Sequence, residues 1–174
     1  DSYLARQRIV VMPDIATEPD DQMSLVRLLV YANQFDIEGL IATTSTWMRN
    51  KVRPDVILSV LEAYEQVQPK LPEHQQGFPT AAALRAVVAS GQQGFGMEAV
   101  GADKMTAGAE LILKAADNPD PRPLWVLAWG GANTLAQALL HLRETRPDDV
   151  ATVVAKLRVY AISDQDDAGP WIRR

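Results

Sequence analysis

Two kinds of hydrophobic pattern alternate along the chain. Short runs rich in Val, Ile and Leu have the length of buried strands, and between them apolar residues recur every three or four positions, as in helices that pack one face on a core. The predicted strands are 8–12, 37–43, 124–128 and 158–162. The predicted helices are 20–33, 54–67, 80–91, 106–116, 134–143 and 149–157. Strand and helix therefore alternate through most of the sequence.

This alternation predicts a parallel sheet, because parallel strands need crossover connections and helices supply them. We expect a three-layer, Rossmann-like α/β fold with a mostly parallel sheet, formed by a single domain over residues 1–174. In such sheets, ligands bind beyond the carboxyl ends of the strands. The segments that follow the predicted strands are polar or glycine-rich: 13–21, 43–47, 129–133 and 163–169.

Composition and charge exclude several classes of protein. Of the 174 residues, 47% are hydrophobic and 22% charged, as in ordinary globular proteins. A net charge of −5 without a basic cluster argues against a nucleic-acid partner, and no apolar run approaches the ~20 residues of a membrane-spanning helix. The lack of cysteine excludes disulfide scaffolds, thiolate metal sites and cysteine nucleophiles. The oligomeric state stays open.

Both ends of the sequence suggest a processed chain. It begins without an initiator methionine or an apolar signal segment, and it stops at Trp171-Ile-Arg-Arg174, inside what reads as an element. We therefore expect a mature or shortened chain that carries the amino-terminal portion of its domain.

Acidic residues crowd the loop after the first strand. Asp14, Glu18, Asp20 and Asp21 lie within eight residues, where the chain enters a helix whose Met23, Val26, Leu29 and Val30 recur at helical spacing. The helix amino end, with Asp20 placed to cap it, offsets part of the mutual repulsion, and a divalent cation would offset more. Only oxygen ligands are present, which favours Ca²⁺ or Mg²⁺ over zinc or copper, with Ca²⁺ better suited to several carboxylates and carbonyls. The alternative is an Asp cap surrounded by turn-forming acids.

The remaining strand-end loops carry weaker signals. Asp164, Asp166 and Asp167 in the last loop read equally well as ligands and as turn chemistry. Neither histidine lies in a recognisable serine-nucleophile motif, so a Ser-His-Asp hydrolase is disfavoured. The glycines of 91–101 follow a predicted helix rather than a strand, which excludes a dinucleotide-binding fingerprint and predicts a flexible loop.

Aromatic residues also accompany the predicted strand ends. Trp47, Trp129 and Trp171 come from three different loops, and the polar run 43–46 precedes Trp47. Core packing accounts for any one of these tryptophans alone. Together they suggest an apolar platform beside acids, which carbohydrate or nucleoside recognition requires.

Three long motifs carry a resemblance to a known family. They are Val11-Met-Pro-Asp-Ile-Ala-Thr-Glu-Pro-Asp-Asp-Gln22, Gly39-Leu-Ile-Ala-Thr-Thr-Ser45 and Trp129-Gly-Gly-Ala-Asn-Thr-Leu-Ala136. The sequence resembles the nucleoside hydrolase superfamily, and more closely its secreted bacterial branch of nucleoside hydrolase-like proteins, often labelled cellulose-binding. The resemblance implies the family's α/β fold, with a Ca²⁺ at the carboxyl edge of the sheet, and a secreted or periplasmic location.

The resemblance also implies roles for individual residues. Asp14 matches the metal-binding carboxylate that takes a proton from water, Asp21 matches a bidentate metal ligand, and Asp20 matches the acid that contacts ribose. The backbone carbonyl of Trp129 falls where the family places a metal ligand. The loop departs from the family pattern in having Met12 at the first acidic position and a longer spacing between Asp14 and Asp20. The distal Asp ligand and the acid that protonates the leaving group are expected beyond residue 174.

Two functions follow as hypotheses. The first is a Ca²⁺-dependent hydrolase of N-glycosidic or related glycosyl bonds, with Asp14 as base and metal ligand, Asp21 and Trp129 as further metal ligands, and Asp20, Trp47 and Asp167 as substrate contacts. The second is a non-catalytic carbohydrate-binding protein, for example one that binds cellulose, on the same fold. The partner is accordingly a small nucleoside or carbohydrate, or a polysaccharide.

Overall fold

A computed structural model of the protein describes residues 5–174. Its strands are β1 (Gln7–Met12), β2 (Phe35–Ala42), β3 (Val88–Ser90), β4 (Leu124–Ala128) and β5 (Leu157–Ala161). Its helices are α1 (Pro19–Leu29), α2 (Pro54–Val67), α3 (Ala81–Arg85), α4 (Ala107–Asp117), α5 (Asn133–Thr145), α6 (Val150–Lys156) and α7 (Ala168–Ile172). Short 3₁₀ helices cover Ala32–Gln34, Gln68–Glu73, Met97–Ala99 and Pro147–Asp149. None of these helices is long and apolar enough to cross a membrane.

The sheet has the order β3-β2-β1-β4-β5, and every pair of neighbouring strands is parallel. The chain builds outward from β1 to β2 and β3, and then returns to the other side of β1 for β4 and β5. The strand order therefore reverses between β1 and β4, where loops leaving the carboxyl ends diverge and open a crevice. The predicted α/β fold with a parallel sheet is confirmed, and its switch point lies beside the loop that carries Asp14.

Alternate residues of the strands face two separate hydrophobic cores. Ile9 and Val11 of β1 pack with side chains from α1, α2 and α3. Val10 and Met12 pack on the opposite face, with α4, α5 and α6. Helices thus cover both faces of the sheet, which is the three-layer arrangement that the alternation of elements predicts. That one domain spans residues 1–174 stays a prediction, and residues 1–4 of that range lie outside the described residues.

The predicted helix over 80–91 is wrong in its second half. Thr80 caps α3 as expected, its hydroxyl accepting a hydrogen bond from the amide of Ala83. The helix ends at Arg85, however, and Val88–Ser90 pairs with β2 as the edge strand β3. Alanine favours helix locally, but backbone pairing with the exposed side of β2 overrides that weak preference. The sheet consequently has one strand more than the sequence predicted.

Helix α1 is shorter than predicted and turns a different face inward. Its buried residues are Asp21, Leu25 and Leu29, four positions apart, whereas Met23 and Val26 are exposed. The amino-terminal cap is Glu18, so Asp20 is not the capping residue but lies exposed in the first turn. The reason is that Pro19, which suits the first helical position, starts the helix before Asp20. This rotation brings Asp21 to the sheet.

Arg8 is a fully buried charged residue at the start of β1, on the edge of the sheet opposite the candidate site. Its guanidinium forms a two-pronged ion pair with Glu38 of β2, with one N–O distance of 2.9 Å. It also donates to the carbonyls of Ala115, at 2.6 Å, and Arg122, at 3.1 Å. One side chain thus joins β1, β2, the last turn of α4 and the segment that leads into β4.

Replacing Arg8 with Met should destabilise the protein strongly. The substitution leaves Glu38 and two carbonyls without their partner in a largely dry environment, which typically costs about 3–5 kcal/mol. The free energy of unfolding from urea titration checks this. Arg85→Met is the matched control, because the Arg85–Glu65 pair is more exposed and should contribute at most about 1 kcal/mol. Equal losses in the two variants would contradict the role assigned to Arg8.

Candidate functional site

The loops from four strands meet around two adjacent glycines that follow β4. A β-carbon on Gly130 would lie 2.7 Å from that of Asp14 and 2.9 Å from the hydroxyl oxygen of Thr43. A β-carbon on Gly131 would lie 2.5 Å from a carboxylate oxygen of Asp166 and 2.7 Å from the carbonyl oxygen of Thr44. Only glycine permits so close an approach, so the loops after β1, β2, β4 and β5 converge here.

Asp14 and Asp21 form a buried acidic pair at this point. Both are less than one-tenth exposed, and the amide of Asp14 donates to Oδ2 of Asp21 at 2.9 Å. Burial and the proximity of the Asp14 carboxylate raise the pKa of Asp21 to about 8, with a smaller contribution from the charge of Asp20. At neutral pH the pair therefore holds a proton, or requires another source of positive charge.

The other two predicted metal and ribose contacts, Asp20 and the carbonyl of Trp129, differ in their surroundings. Asp20 is exposed in the first turn of α1. The carbonyl of Trp129 accepts a hydrogen bond of 3.0 Å from the side-chain amide of Gln165, and the half-buried indole packs against the core beneath α1 and α2. A carbonyl oxygen has two lone pairs, so that of Trp129 keeps capacity for a second partner.

Asp167, predicted as a substrate contact, is exposed and also contacts the protein through one carboxylate oxygen. Its Oδ1 accepts a hydrogen bond of 2.7 Å from the amide of Met97, which ties the last loop to the 91–104 segment. That segment, predicted to be a flexible loop, is held by side chains from its own start and from α5. The side-chain amide of Gln92 donates to the carbonyls of Ala99 and Lys104, and the side-chain amide of Asn133 donates to the carbonyl of Gly94.

Asp166 is the acid of the last loop that lies inside the site. It is buried, and its two carboxylate oxygens accept hydrogen bonds of 3.0 Å from the amides of Asn133 and Ala168. Burial raises the pKa of Asp166, while these hydrogen bonds act in the opposite direction. The sequence places Asp164, Asp166 and Asp167 in one polar turn, and it contains no signal that distinguishes the buried member.

Asn133 and Gln165 are two further site residues that sequence reasoning missed. Each has a buried side-chain oxygen with no hydrogen-bond partner within residues 5–174. Their amide nitrogens are occupied, that of Asn133 by Gly94 and that of Gln165 by the Trp129 carbonyl. The position of Asn133 after Gly-Gly-Ala, at the start of a helix, was a usable signal, whereas Gln165 had none.

The arrangement has the chemistry of a site that binds a cation or a polyol. Two carboxylates lie together in a buried position, and two side-chain amide oxygens that lack a partner among residues 5–174 lie at the start of α5 and in the loop after β5. In the described part of the chain, no group of three or more Asp, Glu or His side chains is arranged so that it could hold a metal ion by itself. A cation at this edge would therefore depend on carboxylates combined with carbonyl or amide oxygens, a mixture that suits Ca²⁺.

Comparison with known proteins assigns the chain to a family. Residues 8–174 match the family described as "Cellulose-binding Sde182, nucleoside hydrolase-like domain". The chain belongs to this family. The match covers every element of the fold from β1 to α7 except the first residue of β1, and it confirms the resemblance that the sequence motifs indicate.

A solved structure with the same fold is that of a nucleoside hydrolase-related hypothetical protein from Saccharophagus degradans, described as associated with carbohydrate metabolism. It is 44% identical to this nucleoside hydrolase-like domain and superposes with a TM-score of 0.94 over 97% of the chain. The chain spans 41% of the length of that relative. No functionally curated protein matches the chain.

The close packing at Gly130 predicts that even a methyl group is harmful there. Gly130→Ala pushes the β4 loop away from Asp14 and Thr43, and such overpacking typically costs about 1–3 kcal/mol. Gly101→Ala is the matched control, because its β-carbon would meet only Lys104 at 3.5 Å or more. Urea unfolding should show the loss for Gly130→Ala and a change within about 0.5 kcal/mol for the control. A neutral Gly130→Ala would contradict the packing described here.

The raised pKa of Asp21 predicts how stability depends on pH in the presence of EDTA. The unfolded carboxyl titrates near pH ~4, whereas the folded one titrates at about 8, so between these values only the folded chain holds the proton. This group therefore makes the folded state less stable as the pH rises from 4 to 8. Asp21→Asn, which keeps an oxygen acceptor for the amide of Asp14, should remove that component.

The measurement is the difference in Tm between Asp21→Asn and the wild type across this pH range. The variant should gain on the wild type as the pH rises, by about 2–4 °C for each kcal/mol of repulsion removed. The exposed Asp148→Asn, which changes charge equally, should follow the wild type at every pH. A Tm difference for Asp21→Asn that does not change with pH would show that the acidic pair is not strained by its charge.

Proposed function

We propose that this domain binds a divalent cation, Ca²⁺ in preference to others, at the acidic pair and takes part in the hydrolysis of an N-glycosidic or related glycosyl bond. The observation that carries the proposal is the buried contact of Asp14 with Asp21 at the switch point of the sheet. Burying two acids together opposes folding unless their charge is neutralised. Buried acidic pairs of this kind occur preferentially at functional sites, where their charge binds a ligand or takes part in catalysis.

The residues present fit part of a Ca²⁺ site. Asp14 and Asp21 would supply carboxylate oxygens, and the carbonyl of Trp129 would supply a third ligand with its free lone pair. The buried side-chain oxygen of Gln165, whose amide donates to that carbonyl, is an acceptor without a partner among the described residues. A bound cation would supply positive charge that polarises a water molecule.

The protein's own side chains supply the acid–base chemistry. Asp14, held between the β1 loop and Gly130, would accept the proton of the attacking water as a general base. Asp21, whose backbone contact with Asp14 fixes the pair, would hold the cation. The exposed Asp20 is free to contact sugar hydroxyls. Because the chain spans 41% of the Saccharophagus degradans relative, the activity of such longer proteins as a whole would also draw on groups outside this domain.

A second candidate function is carbohydrate binding without turnover. The indole of Trp47 is 66% exposed at the same edge of the sheet, and a surface tryptophan is a common element of sugar recognition. The family's description includes cellulose binding, and the solved relative is associated with carbohydrate metabolism. Binding to cellulose would require the secreted or periplasmic location that the resemblance implies. This function needs no general base.

Calorimetric titration with Ca²⁺ tests the cation site first. The wild type should bind one Ca²⁺ saturably, and Asp21→Asn should weaken binding by at least tenfold, since one of two carboxylate ligands loses its charge. The exposed Asp148→Asn should bind like the wild type. Saturable binding that survives Asp21→Asn would place the cation elsewhere, and no binding by the wild type would refute the cation site in this domain.

Hydrolysis assays with a panel of nucleosides and aryl glycosides separate the two candidate functions. If the domain is catalytic, Asp14→Asn should reduce the rate by 10²-fold or more, the usual contribution of a general base. Retention on insoluble cellulose should be unchanged in that variant. Cellulose retention without hydrolysis by the wild type would favour the binding function over the enzyme.

A further inference from the structure

Strand β5 is the edge strand beside β4, and its side chains are exposed on both faces of the sheet. Its first residue, Leu157, is buried, but residues 158–161 are all exposed. Val159 and Tyr160 keep 44% and 60% of their surface in solvent, and Ile162, just after the strand, keeps 63%. Three large apolar side chains within four positions are therefore uncovered.

The opposite edge strand, β3, is protected in a way that β5 is not. It has only three residues, all partly buried, and α2 and α4 pack against it. Short length, covering helices and charged side chains are the usual means of keeping an edge strand from pairing with other chains. Of these, β5 has only the charge of Arg158.

The outer backbone of β5 is free for pairing. The amide of Ile162 donates to the carbonyl of Ala128 in β4 at 3.1 Å. Because the N–H groups of consecutive strand residues point to opposite sides, those of Val159 and Ala161 are directed away from β4. No strand among residues 5–174 pairs with β5 on that side.

A groove of about 360 Å³ lies between this edge and α7. Its apolar lining includes Val159 and Ala161 of β5 and Ile172 of α7. Val159 is on the same face of the sheet as Leu157, which packs in the core under α5 and α6. Side chains of a strand that pairs with β5 would fill this groove on one face and would cover Tyr160 and Ile162 on the other.

The path of the chain indicates the same position for a further strand. Helices α5 and α6 lead from β4 to β5 along the face of the sheet that also carries α4. Helix α7 follows β5 and returns to that face, where Trp171 and Ile172 pack against the same core and Arg143 of α5 lies 5.2 Å from the centre of the Trp171 ring. Crossovers between parallel strands are right-handed, so one that runs through α7 moves one more position away from β1, as the crossover from β4 to β5 does.

We propose that the outer edge of β5 is a docking surface for one further parallel strand, supplied by the polypeptide that follows α7 in longer relatives of this chain. The Saccharophagus degradans relative is such a protein: the chain spans 41% of its length, so more than half of that relative lies outside the shared domain.

The geometry also fixes the chemistry of the docking strand. It carries apolar side chains on both faces, because it packs into the groove beside Val159 on one face and beside Tyr160 and Ile162 on the other. A second copy of this chain fits less well, since two copies of β5 related by a two-fold axis would pair antiparallel, whereas every strand pair of this sheet is parallel.

Amide hydrogen exchange, resolved to single residues, tests whether the edge is free in this chain and covered in the longer relative. In this chain, the amides of Val159 and Ala161 should exchange at least about tenfold faster than those of Tyr160 and Ile162, which are directed at β4 and serve as internal controls. In the Saccharophagus degradans relative, the amides aligned with Val159 and Ala161 should be as protected as the controls, because a backbone hydrogen bond on that side would retain each proton.

Lysine substitutions test the covered faces. Tyr160→Lys should leave the Tm of this chain within about 2 °C, because the side chain is exposed, whereas lysine at the aligned position of the relative should lower its Tm by about 5 °C or more, because the docked strand would bury the charge. Val67→Lys, at a 48% exposed position at the end of α2, is the matched control and should be neutral in both proteins.

Several results would overturn the proposal. Slow exchange of Val159 and Ala161 in this chain at every concentration would mean that the domain covers the edge itself, and slow exchange only in concentrated samples would make a second copy the occupant. Fast exchange at the aligned positions of the relative, or a neutral lysine there, would mean that the edge stays free in the longer protein. None of these results depends on Ca²⁺ or on hydrolysis, so the docking surface stands or falls separately from the proposed function.

Discussion

The close approach of backbone at Gly130 and Gly131 is the constraint on which the site depends. These two residues follow β4 at the switch point, and the loops from β1, β2 and β5 contact them where any side chain would intrude. Loops that leave the strand ends at this point of a twisted parallel sheet diverge. They can meet again only where the backbone permits close contact. The lack of β-carbons at these two glycines permits that approach, and Asp14, Thr43 and Asp166 lie around one crevice.

The buried acids of the crevice differ in how their negative charge is compensated. Asp166 is satisfied by backbone amides at the start of α5 and α7, so the protein itself compensates its charge. Asp14 and Asp21 face each other, and among the described residues only one backbone amide donates to their carboxylates, from Asp14 to Asp21. Aspartate thus has a structural role in the loop after β5, and it leaves uncompensated charge in the segment after β1. That difference is why the acidic pair, and not the last loop, is the centre of the proposed chemistry.

Helices α1 and α2 and strand β3 show how much of the fold can be predicted from local sequence. Helix α2 was predicted with its final bounds, because Pro54 starts it and Ile57, Val60, Leu61 and Tyr64 form one buried stripe. The strand β3 was missed because its three residues continue an alanine-rich helical pattern and become a strand only by pairing with β2. The inward face of α1 was misjudged because two apolar stripes run along it, and the chain's path onto the sheet selected the one containing Asp21.

The sequence by itself determined the fold class, the family and the strand ends that carry polar residues, and it predicted a site at Asp14 and Asp21. These features depend on local periodicity and on motifs that are contiguous in the chain. Tertiary structure alone decided which acids are buried together, that Asp166 rather than Asp167 enters the crevice, and that Trp47 faces solvent while Met48 is buried. Those outcomes depend on contacts between residues far apart in sequence, and burial and charge compensation arise only when such segments meet.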